Sequence, residues 1–470
     1  MGTGMVMAAI DVDYLIMGAG AAGMAFADSL FTHSEATMVI VDRHDRPGGH
    51  WNDAYPFVRL HQPAANYGVN SAELGTGAID QVGLNAGFHE LASGQEILAH
   101  YDNVMRHRFL PSGRVHFFPM SEVSADGVIT SLLSGQQQQV QARRFVDATH
   151  SRMQVPSMTT PKYLIGADVT CVPLNELPRR AGSYDEFVVI GAGKTGMDAC
   201  IWLLGNGADP DSIRWIMPRD SWILDRACFQ PGDEGFAALC KSIADQVECV
   251  ALAESVDDLF AQLESAGELR RIDSDVTPEA YHCAILSDGE VSELQRIRNV
   301  VRLGRVTSIE RDVIQLEQGS IPTSPTCLHI DCSAAGIPGH ASVPVFTGDR
   351  ITLQWIGGCQ PTFSAAMIGF IEATFTDEAL KNRIGGPVTP PTVPFDWLRV
   401  QRSNLANRAC WNEHPEIGAW QATARLDPFA KYARTRVGVD MEATAHLQRY
   451  LTNFQAAAAK LDELLAAAQR

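Results

Sequence analysis

Short apolar runs alternate with glycine turns and helical stretches along this chain, and the same arrangement occurs twice. Tyr14–Met17 is an apolar run long enough for a buried parallel strand. A turn with G-x-G-x-x-G spacing follows, and the next residues have a helical pattern to about Phe31. The turn glycines are Gly18, Gly20 and Gly23. A second apolar run, Met38–Val41, ends at Asp42, so the pattern predicts a strand–turn–helix–strand unit with an acid after its second strand.

This first unit has the residue types of a dinucleotide site. The first glycine permits a tight turn, the second lets a pyrophosphate approach the backbone, and the third lets helix and strand pack closely. The N-terminus of the helix offers free N–H groups to the phosphates. Asp42 can accept hydrogen bonds from the adenosine ribose.

The second unit begins at the strand-like run Phe187–Ile190 and continues with a helix to about Leu204 and a strand over Ile213–Met217. Its turn residues are Gly191, Gly193, Lys194, Thr195 and Gly196. Its second strand is followed by Arg219 rather than by an acid. An arginine at this place can pair with a 2′-phosphate, which favours NADPH over NADH. The alternative is that Arg219 is an ordinary solvated surface charge.

The remaining periodicity predicts elements that connect and follow these units. Residues 226–267 have a helical pattern longer than a simple crossover, which indicates an inserted helical subdomain. Residues 395–470 are also mostly helical, and the apolar positions of the last helix leave internal packing and a homodimer both open. The other predictions are a helix over Glu96–Phe109, strands near Val115–Phe118, Gly127–Leu133 and Val140–Ala148, a polar turn at Gly135–Gln139, a hairpin near Val313–Pro322, a strand at Ile351–Ile356 and a helix over Thr362–Phe375. A further strand, Leu328–Ala334, is expected to return the chain from the second domain to the first.

Composition narrows the class of protein. The 470 residues are 46% hydrophobic and carry a net charge of −18, with no basic block, which argues against nucleic acid and anionic membrane as partners. The 10 cysteines include no C-x-x-C pair, and no histidine lies at zinc-ligand spacing. They are interpreted as buried small hydrophobes in a reducing compartment, without a metal site or redox dithiol. The N-terminus has no signal-peptide or myristoylation pattern, so a soluble cytoplasmic protein is expected.

Residues 48–67 read GGHWNDAYPFVRLHQPAANY. They resemble the G-G-x-W…Y-P segment of the two-dinucleotide flavin-dependent monooxygenases, in particular the Baeyer–Villiger branch, in which this segment runs along the flavin. The matching positions are Gly49, Trp51, Tyr55, Pro56, Arg59 and Tyr67. The alternative is a glycine turn followed by core aromatic residues.

The resemblance implies an α/β protein with two Rossmann-like domains, for FAD and NADPH, the second inserted into the first. The expected bounds are 1–157 and 325–394 for the FAD domain, 158–324 for the NAD(P)H domain with its helical insertion, and 395–470 for the helical C-terminus. The helix after Pro361 would point its N-terminus at the flavin pyrimidine ring. The residues expected at FAD are Gly18, Gly20, Gly23, Asp42, Arg43, Gly49, His50, Trp51 and Pro361.

The activity implied by the resemblance is oxygenation of a small organic substrate. NADPH would reduce FAD, and reduced FAD would react with O2 to give a C4a-(hydro)peroxyflavin. One alternative is an NAD(P)H-dependent flavin oxidoreductase or a halogenase that uses the same oxygen adduct. Another is a protein that binds FAD without catalysis. The absence of C-x-x-C argues against a disulfide reductase.

The chain departs from the family pattern in two places. The family's F-x-G-x-x-x-H-x-x-x-[WYF] signature is missing, because residues 161–179 contain no histidine. His61 takes the position at which Baeyer–Villiger enzymes have an aspartate, and the arginine that this aspartate orients has no identifiable counterpart. We interpret His61 as a proton donor or flavin partner with a pKa near the working pH, or else as a structural histidine. The nearby candidate amides, which could also be turn formers, are Gln62, Asn66 and Asn70.

Overall fold

The computed structural model describes residues 9–336 and 341–467. The strands are β1 Ile10–Met17, β2 Met38–Val41, β3 Val115–Phe118, β4 Ser121–Val123, β5 Val128–Ser131, β6 Gln137–Asp147, β7 Leu164–Ile165, β8 Cys171–Pro173, β9 Glu186–Ile190, β10 Ile213–Ile216, β11 Ser221–Asp225, β12 Leu269–Arg270, β13 Ala280–Leu286, β14 Val300–Val301, β15 Val306–Ile309, β16 Val313–Leu316, β17 Gly319–Pro322, β18 Cys327–Asp331, β19 Phe346–Thr347 and β20 Arg350–Thr352. The helices are α1 Ala21–His33, α2 Gly94–Val104, α3 Leu177–Arg180, α4 Lys194–Gly205, α5 Gly232–Leu252, α6 Val256–Ser265, α7 Asp288–Leu294, α8 Pro361–Thr374, α9 Glu378–Ile384, α10 Pro394–Asn412, α11 Pro415–Gln421, α12 Ala430–Arg436 and α13 Met441–Ala467.

The first sheet has the order β19-β20-β6-β1-β2-β3, with β5 and β4 continuing from β6. Strand β1 is parallel to both β2 and β6, which places its carboxyl end at the centre of the sheet edge. Helices α1 and α8 pack against each other beside this sheet. Gly369 of α8 permits the contact, since a Cβ there would lie 2.7 Å from the carbonyl oxygen of Phe26. The predicted first unit is confirmed.

The second sheet has the order β14-β10-β9-β18-β8 and contains the second glycine turn between β9 and α4. All its strands lie between β6 and β19 in the sequence, so the second Rossmann-like domain is inserted into the first, as predicted. One prediction is wrong. The strand expected at Leu328–Ala334 forms, but it pairs with β9 in the second sheet, with Leu328 opposite Phe187. It therefore does not return the chain to the first sheet; that return comes at β19 and β20.

The predicted helical insertion is confirmed as α5 and α6, and it carries a small sheet of order β12-β11-β13 that the helical pattern did not indicate. Helix α13 lies along α5, where Arg449 contacts the Asp245 carboxylate at 2.8 Å. Leu461 and Leu464 of α13 belong to a buried cluster with Trp222 and Val250. Internal packing therefore accounts for part of the apolar face of the last helix.

Three other local predictions concern a helix, a polar turn and a long apolar run. Helix α2 begins at a capping box formed by Ser93 and Glu96 and ends in a π-helical turn over Met105–Phe109. The polar turn predicted at Gly135–Gln139 is wrong for its second half. Gln139 belongs to β6, where it pairs with Val128 on a solvated edge of the sheet. The apolar run 351–371 divides into β20 and α8, as expected.

Among residues 9–336 and 341–467, no helix is both long enough and apolar enough to cross a membrane. The sequence expectation about a leader or lipid anchor concerns the first residues of the chain, and 1–8 lie outside the described residues.

Candidate functional site: two glycine turns and the segment between them

The first glycine turn is constrained by its own backbone. Gly18 has a φ of +103°, a conformation that L side chains rarely adopt. A Cβ on Gly23 would lie 2.0 Å from the carbonyl oxygen of Gly18, so only glycine lets α1 start this close to β1. These two glycines are required by the fold itself.

Gly20 is different, because its φ of −73° suits any residue. A Cβ on Gly20 would meet Gly49 Cα at 3.5 Å, an ordinary contact distance. The Gly48 N–H donates to the Ala19 carbonyl at 2.9 Å, so the second pair of glycines lies directly against the first turn. The result is a backbone surface without side chains at the N-terminus of α1, where pyrophosphate binds in such folds.

Asp42 is buried beside this turn. Its carboxylate accepts from the Ala19 N–H at 2.6 Å and contacts His44 Nδ1 at 2.9 Å. The other ring nitrogen of His44 contacts Asp53 at 2.8 Å, and these hydrogen bonds raise the pKa of His44. Sequence reasoning missed His44, although its position two residues after Asp42 was a usable signal. Arg43, expected at the cofactor, is directed to the surface and lies 3.5 Å from Glu122.

The segment that follows Gly49 is built from interlocked rings. The Trp51 indole N–H donates to the Tyr67 hydroxyl at 2.9 Å, and the two rings meet edge to face. His50 lies 5.0 Å from Trp51, between ring centroids, and burial lowers its pKa to about 4. The predicted residues His50 and Trp51 therefore lie side by side next to the glycine pair, with a neutral imidazole at neutral pH.

Arg425, from the helical C-terminus, holds the end of this segment. Its guanidinium donates to the carbonyl oxygens of Ala65 at 2.5 Å, Tyr67 at 2.6 Å and Val69 at 2.6 Å. Burial is the main reason that the pKa of Arg425 is lowered. The Arg425 side chain thus donates to backbone carbonyls that, in a sheet, would accept hydrogen bonds from a neighbouring strand. Nothing in the local sequence pattern indicated this role.

The N-terminus of α8 adds unsatisfied polar groups to the first domain. Pro361 is its first residue, as predicted, and the initial N–H groups of a helix have no acceptor within it. The side-chain oxygens Gln360 Oε1 and Thr362 Oγ1 are buried without a hydrogen-bond partner among the described residues. Buried polar atoms of this kind usually have a partner, so they mark a place for a polar ligand.

The second glycine turn repeats the first. Gly191 has a φ of +130°, and a Cβ on Gly196 would lie 2.1 Å from the Gly191 carbonyl oxygen. Gly193 has a φ of −78°, and a Cβ on it would meet nothing within 4 Å. As at Gly20, neither the backbone nor the packing requires glycine here, so the open space suits a bound phosphate. Thr195, half-buried in the first turn of α4, lies beside it.

Lys194 connects the second turn to the segment that leaves the first. Its ammonium group pairs with Asp198 one helical turn later, and the Tyr55 hydroxyl donates to the other carboxylate oxygen of Asp198. Phe57 also stacks on Trp202 of α4, with 5.3 Å between ring centroids. Residues 55–57 of the first domain are therefore packed against the helix that begins the second site.

Arg219 lies after β10, as predicted, and is exposed. Its guanidinium makes no ion pair with any described residue, and its charge adds to the burial that lowers the pKa of His282. The next residue, Asp220, is buried and accepts two hydrogen bonds from Arg302, at 2.8 and 3.0 Å. Arg219 is thus the cation at this strand end that is available to a ligand.

His61 lies where the two domains and the insertion meet. Its Nδ1 accepts from the Ile285 N–H of β13 at 3.1 Å, and its carbonyl accepts from Arg226 at 3.2 Å. Burial, with smaller contributions from Lys194 and Arg226, lowers the pKa of His61 to about 3. The expectation of a pKa near the working pH is therefore wrong. The ring is neutral at neutral pH, and with Nδ1 occupied as an acceptor its proton is on Nε2.

Arg226 is a cation that the sequence did not reveal. It is fully buried and pairs with Glu290 at 2.6 Å, and it also donates to Asn85 Oδ1 at 3.0 Å. Arg226 contacts the backbone of His61 and not its ring, so whether it is a counterpart of the family's arginine stays untested. A buried pair of this kind is costly to break, because the remaining charge would be unpaired.

The predicted amides divide into two groups. Gln62 and Asn66 are both buried, and Asn66 donates to the Phe229 carbonyl of the insertion at 3.2 Å. Asn70 instead accepts from the Leu426 N–H at 3.1 Å and holds the C-terminal region. A role of Gln62 and Asn66 at His61 stays a prediction, whereas the structure gives Asn70 a contact with the C-terminal region.

The cysteines correct another expectation. Cys283 of β13 and Cys359 form a disulfide, with 6.4 Å between their Cα atoms, and the other eight cysteines are free.

In addition, Cys410, Glu413 and His414 could bring three ligand atoms within 4.8 Å of one another, which the sequence spacing did not indicate. These are fewer than the four protein ligands of a structural zinc site.

Comparison with known proteins gives the chain its family. Residues 16–74, which include the first glycine turn and the Gly49–Tyr67 segment, match the family model "NAD(P)-binding Rossmann-like domain". Over 421 residues the chain is 48% identical to "Uncharacterized protein Rv2000" of Mycobacterium tuberculosis and to "Uncharacterized protein Mb2023" of Mycobacterium bovis, covering 90% of this chain and 78% of each relative. The chain belongs to the family of these mycobacterial proteins.

Solved structures with similar folds have much lower identity. A steroid monooxygenase bound to NADP is 13% identical, with 77% of this chain and 85% of that chain covered and a TM-score of 0.49. A polycyclic ketone monooxygenase from Thermothelomyces thermophila is 12% identical, with 97% and 89% covered and a TM-score of 0.47. A flavin-containing monooxygenase from Stenotrophomonas maltophilia is 15% identical, with 87% and 99% covered and a TM-score of 0.43.

Proposed function

We propose that this member of the family is an NADPH-dependent FAD monooxygenase that oxygenates a small organic molecule with O2. The observation that carries the proposal is the position of His61. It ends a segment that starts against the first glycine turn at Gly49, and the Lys194 ammonium of the second turn is close enough to help lower its pKa. Nucleotides in the two turns would therefore both extend toward His61.

The residues of the first domain fit FAD. Gly20 and Gly49 leave a bare backbone cradle for the pyrophosphate, and Asp42 lies beside it at the end of β2. At the other end, Gln360 offers an acceptor and Thr362 a hydroxyl, both buried and without a partner among the described residues. An isoalloxazine ring has both donors and acceptors on its pyrimidine edge, so these two side chains would hold that edge, and the α8 dipole would stabilise negative charge there.

The second turn fits NADPH. Gly193 leaves the N-terminus of α4 open to the pyrophosphate, and Lys194 lies at the first position of that helix. Arg219 is exposed and free of ion pairs within the described residues, which suits a 2′-phosphate.

When bound, the two cofactors supply the transfer of two electrons from NADPH to O2 and of one oxygen atom to the substrate. The chain's own contribution at the junction is a fixed set of donors and charges. His61 Nε2–H is a neutral hydrogen-bond donor, held in direction by the Ile285 N–H on its other nitrogen. The nearby cations Arg226 and Lys194 stabilise developing negative charge, and such preoriented groups are most effective where water is excluded.

The proposal is tested with purified protein, NADPH, labelled O2 and a panel of small ketones, sulfides and amines. We expect at least one compound to accelerate NADPH oxidation and to gain one labelled oxygen atom. If all electrons are recovered as hydrogen peroxide or as a reduced compound, the chain is an oxidoreductase without oxygenation. If NADPH is not consumed at all, the chain binds FAD without catalysis. Either result contradicts the proposal.

A further inference from the structure

The Cys283–Cys359 disulfide links a strand of the second domain to a loop of the first domain. Cys283 lies in β13 of the small sheet carried by the second domain. Cys359 lies in the loop that leads from β20 into α8 of the first domain. The two positions are 76 residues apart in the sequence, so the bond is a cross-link between domains and not a local turn.

The backbone is specially shaped at both cysteines. Cys283 has a φ of +55° and Cys359 a φ of +57°, a region that residues other than glycine adopt rarely. In the part of the chain that the structure describes, only two other non-glycine residues have positive φ. At Cys283 the pairing of β13 with β11 also shifts, since Trp222 pairs with Tyr281 but Leu224 pairs with Ile285. Unusual conformations and bulges of this kind concentrate at functional sites.

Both cysteines adjoin groups that the proposed function places at the flavin. Cys359 is followed by Gln360 and, after Pro361, by Thr362, the two residues with unpartnered oxygens. Cys283 is two residues before Ile285, whose N–H donates to His61 Nδ1. Cys283 is buried and Cys359 is half-buried. The Cys359 sulfur is therefore the one that an attacking thiolate or a neighbouring electron donor would reach first.

We propose that Cys283 and Cys359 form a reversible redox pair that takes up two electrons at the junction of the two domains. The S–S bond breaks as two electrons and two protons convert the cystine into two thiols. If the donor is the reduced flavin, which rests on the proposed function, the flavin is reoxidised in the same step. If the donor is a small external dithiol, it becomes its own cyclic disulfide. The reverse oxidation restores the cross-link.

The experiment counts thiols in the full-length, flavin-loaded protein under anaerobic conditions. Wild type, Cys283→Ser and Cys410→Ser are blocked with an alkylating reagent, and labelled peptides are identified by mass. Cys410 is a free, half-buried cysteine and so a matched control. As isolated, wild type should show eight reactive or denaturation-exposed thiols of its 10 cysteines and a linked peptide pair containing 283 and 359.

Excess NADPH should then expose two further thiols in wild type and in Cys410→Ser, with two equivalents of NADPH oxidised per flavin. Cys283→Ser should oxidise only one equivalent. If NADPH leaves the bond intact while a dithiol opens it in the native protein, the redox pair is supported with an external donor. A bond that opens only after denaturation, or ten free thiols after exposure to air, would overturn the proposal. Failure of NADPH to bleach the flavin would instead count against the proposed function.

Discussion

The Tyr55 hydroxyl donates a hydrogen bond to Asp198, whose other carboxylate oxygen accepts from Lys194. This contact links the segment after the first glycine turn to the first helical turn of α4, which follows the second glycine turn. Tyr55 is buried, and burial near the Asp198 carboxylate raises its pKa well above the ordinary value. The phenol is therefore a permanent donor at any physiological pH, and the geometry of the second turn depends on the first domain.

We expect Tyr55→Phe to lower the free energy of unfolding by about 1.5–3 kcal/mol, because it removes a hydrogen bond to a charged group. The KM for NADPH should also rise, since the carboxylate that holds Lys194 is no longer anchored. Denaturant unfolding and initial-rate kinetics measure the two effects. Tyr450→Phe is the control, because the half-buried Tyr450 hydroxyl has no hydrogen-bond partner among the described residues. Equal effects of the two substitutions would remove the role assigned to Tyr55.

Arg219→Ala should raise the KM for NADPH about ten- to a hundredfold and leave that for NADH nearly unchanged. The reason is that a charge-assisted contact to the 2′-phosphate contributes about 1.5–3 kcal/mol, and NADH lacks that phosphate. Arg311→Ala, at an exposed arginine of the β15–β16 hairpin, is the control. Similar increases in the KM for NADPH and the KM for NADH would show that Arg219 acts on something other than the 2′-phosphate.

His61→Ala should keep FAD bound but divert electrons from product to hydrogen peroxide. A preoriented donor of this kind contributes about 10²–10³-fold to the step that it serves. Because the pKa of His61 is held at about 3, the yield of product per NADPH should show no inflection near pH 6.5 in wild type. Product and peroxide are measured together across pH 6 to 8.

The matched variant is His61→Gln, whose amide can still accept from the Ile285 N–H and offer a donor at its other end. It should retain more of the product yield than His61→Ala. If His61→Ala gives as much product per NADPH as wild type, His61 is a structural residue. An inflection near pH 6.5 that disappears in His61→Gln would show instead that the ring titrates.

His100 makes the protein sensitive to mild acid. Its Nε2 accepts from the Val69 N–H at 3.3 Å, and burial lowers its pKa from 6.5 to about 4. Above pH 6.5, His100 is unprotonated in both the folded and the unfolded state, so it does not reduce the free energy of unfolding. As the pH falls from 6.5 toward 4, only the unfolded state takes up the proton, and stability falls by up to about 1.4 kcal/mol per pH unit.

His100→Gln should therefore flatten the dependence of the unfolding free energy on pH between 6 and 5 by about that slope. The comparison is with His116→Gln, the same substitution at an exposed histidine of β3. Denaturant unfolding at several pH values measures how the unfolding free energy of each protein depends on pH. An unchanged slope in His100→Gln would show that this histidine is protonated in the folded state.

The glycine turns and their strands were predictable because their signals are local. A strand, a G-x-G-x-x-G turn and a helix lie next to one another in the sequence, and Gly18 and Gly191 have the backbone conformations that this pattern requires. The family resemblance singled out His61, and its place beside a flavin stays a prediction. The pKa of His61 was not predictable, because that depends on burial by β13 and on Arg226, which is 165 residues away in the sequence.

Long-range contacts explain the other misses. Arg425 reaches the Val69 carbonyl across 356 positions, and neither residue type indicates such a contact. The disulfide between Cys283 and Cys359 has no spacing signal, since the residues come from different domains. Strand β18 was assigned to the wrong sheet because an apolar strand pattern shows burial but not the partner strand.

The central claim is that both glycine turns bind nucleotides that react with each other at His61. Anaerobic addition of NADPH to the FAD-loaded protein, followed by the visible absorbance of the flavin, tests it most directly. We expect wild type to bleach. Gly193→Ala should keep its FAD and bleach only at much higher NADPH, because the new methyl group occupies space beside the N-terminus of α4 that no protein atom fills. Gly20→Ala should fold but lose FAD. Wild-type protein that holds FAD and does not bleach with NADPH, or a Gly193→Ala variant that bleaches like wild type, would contradict the account.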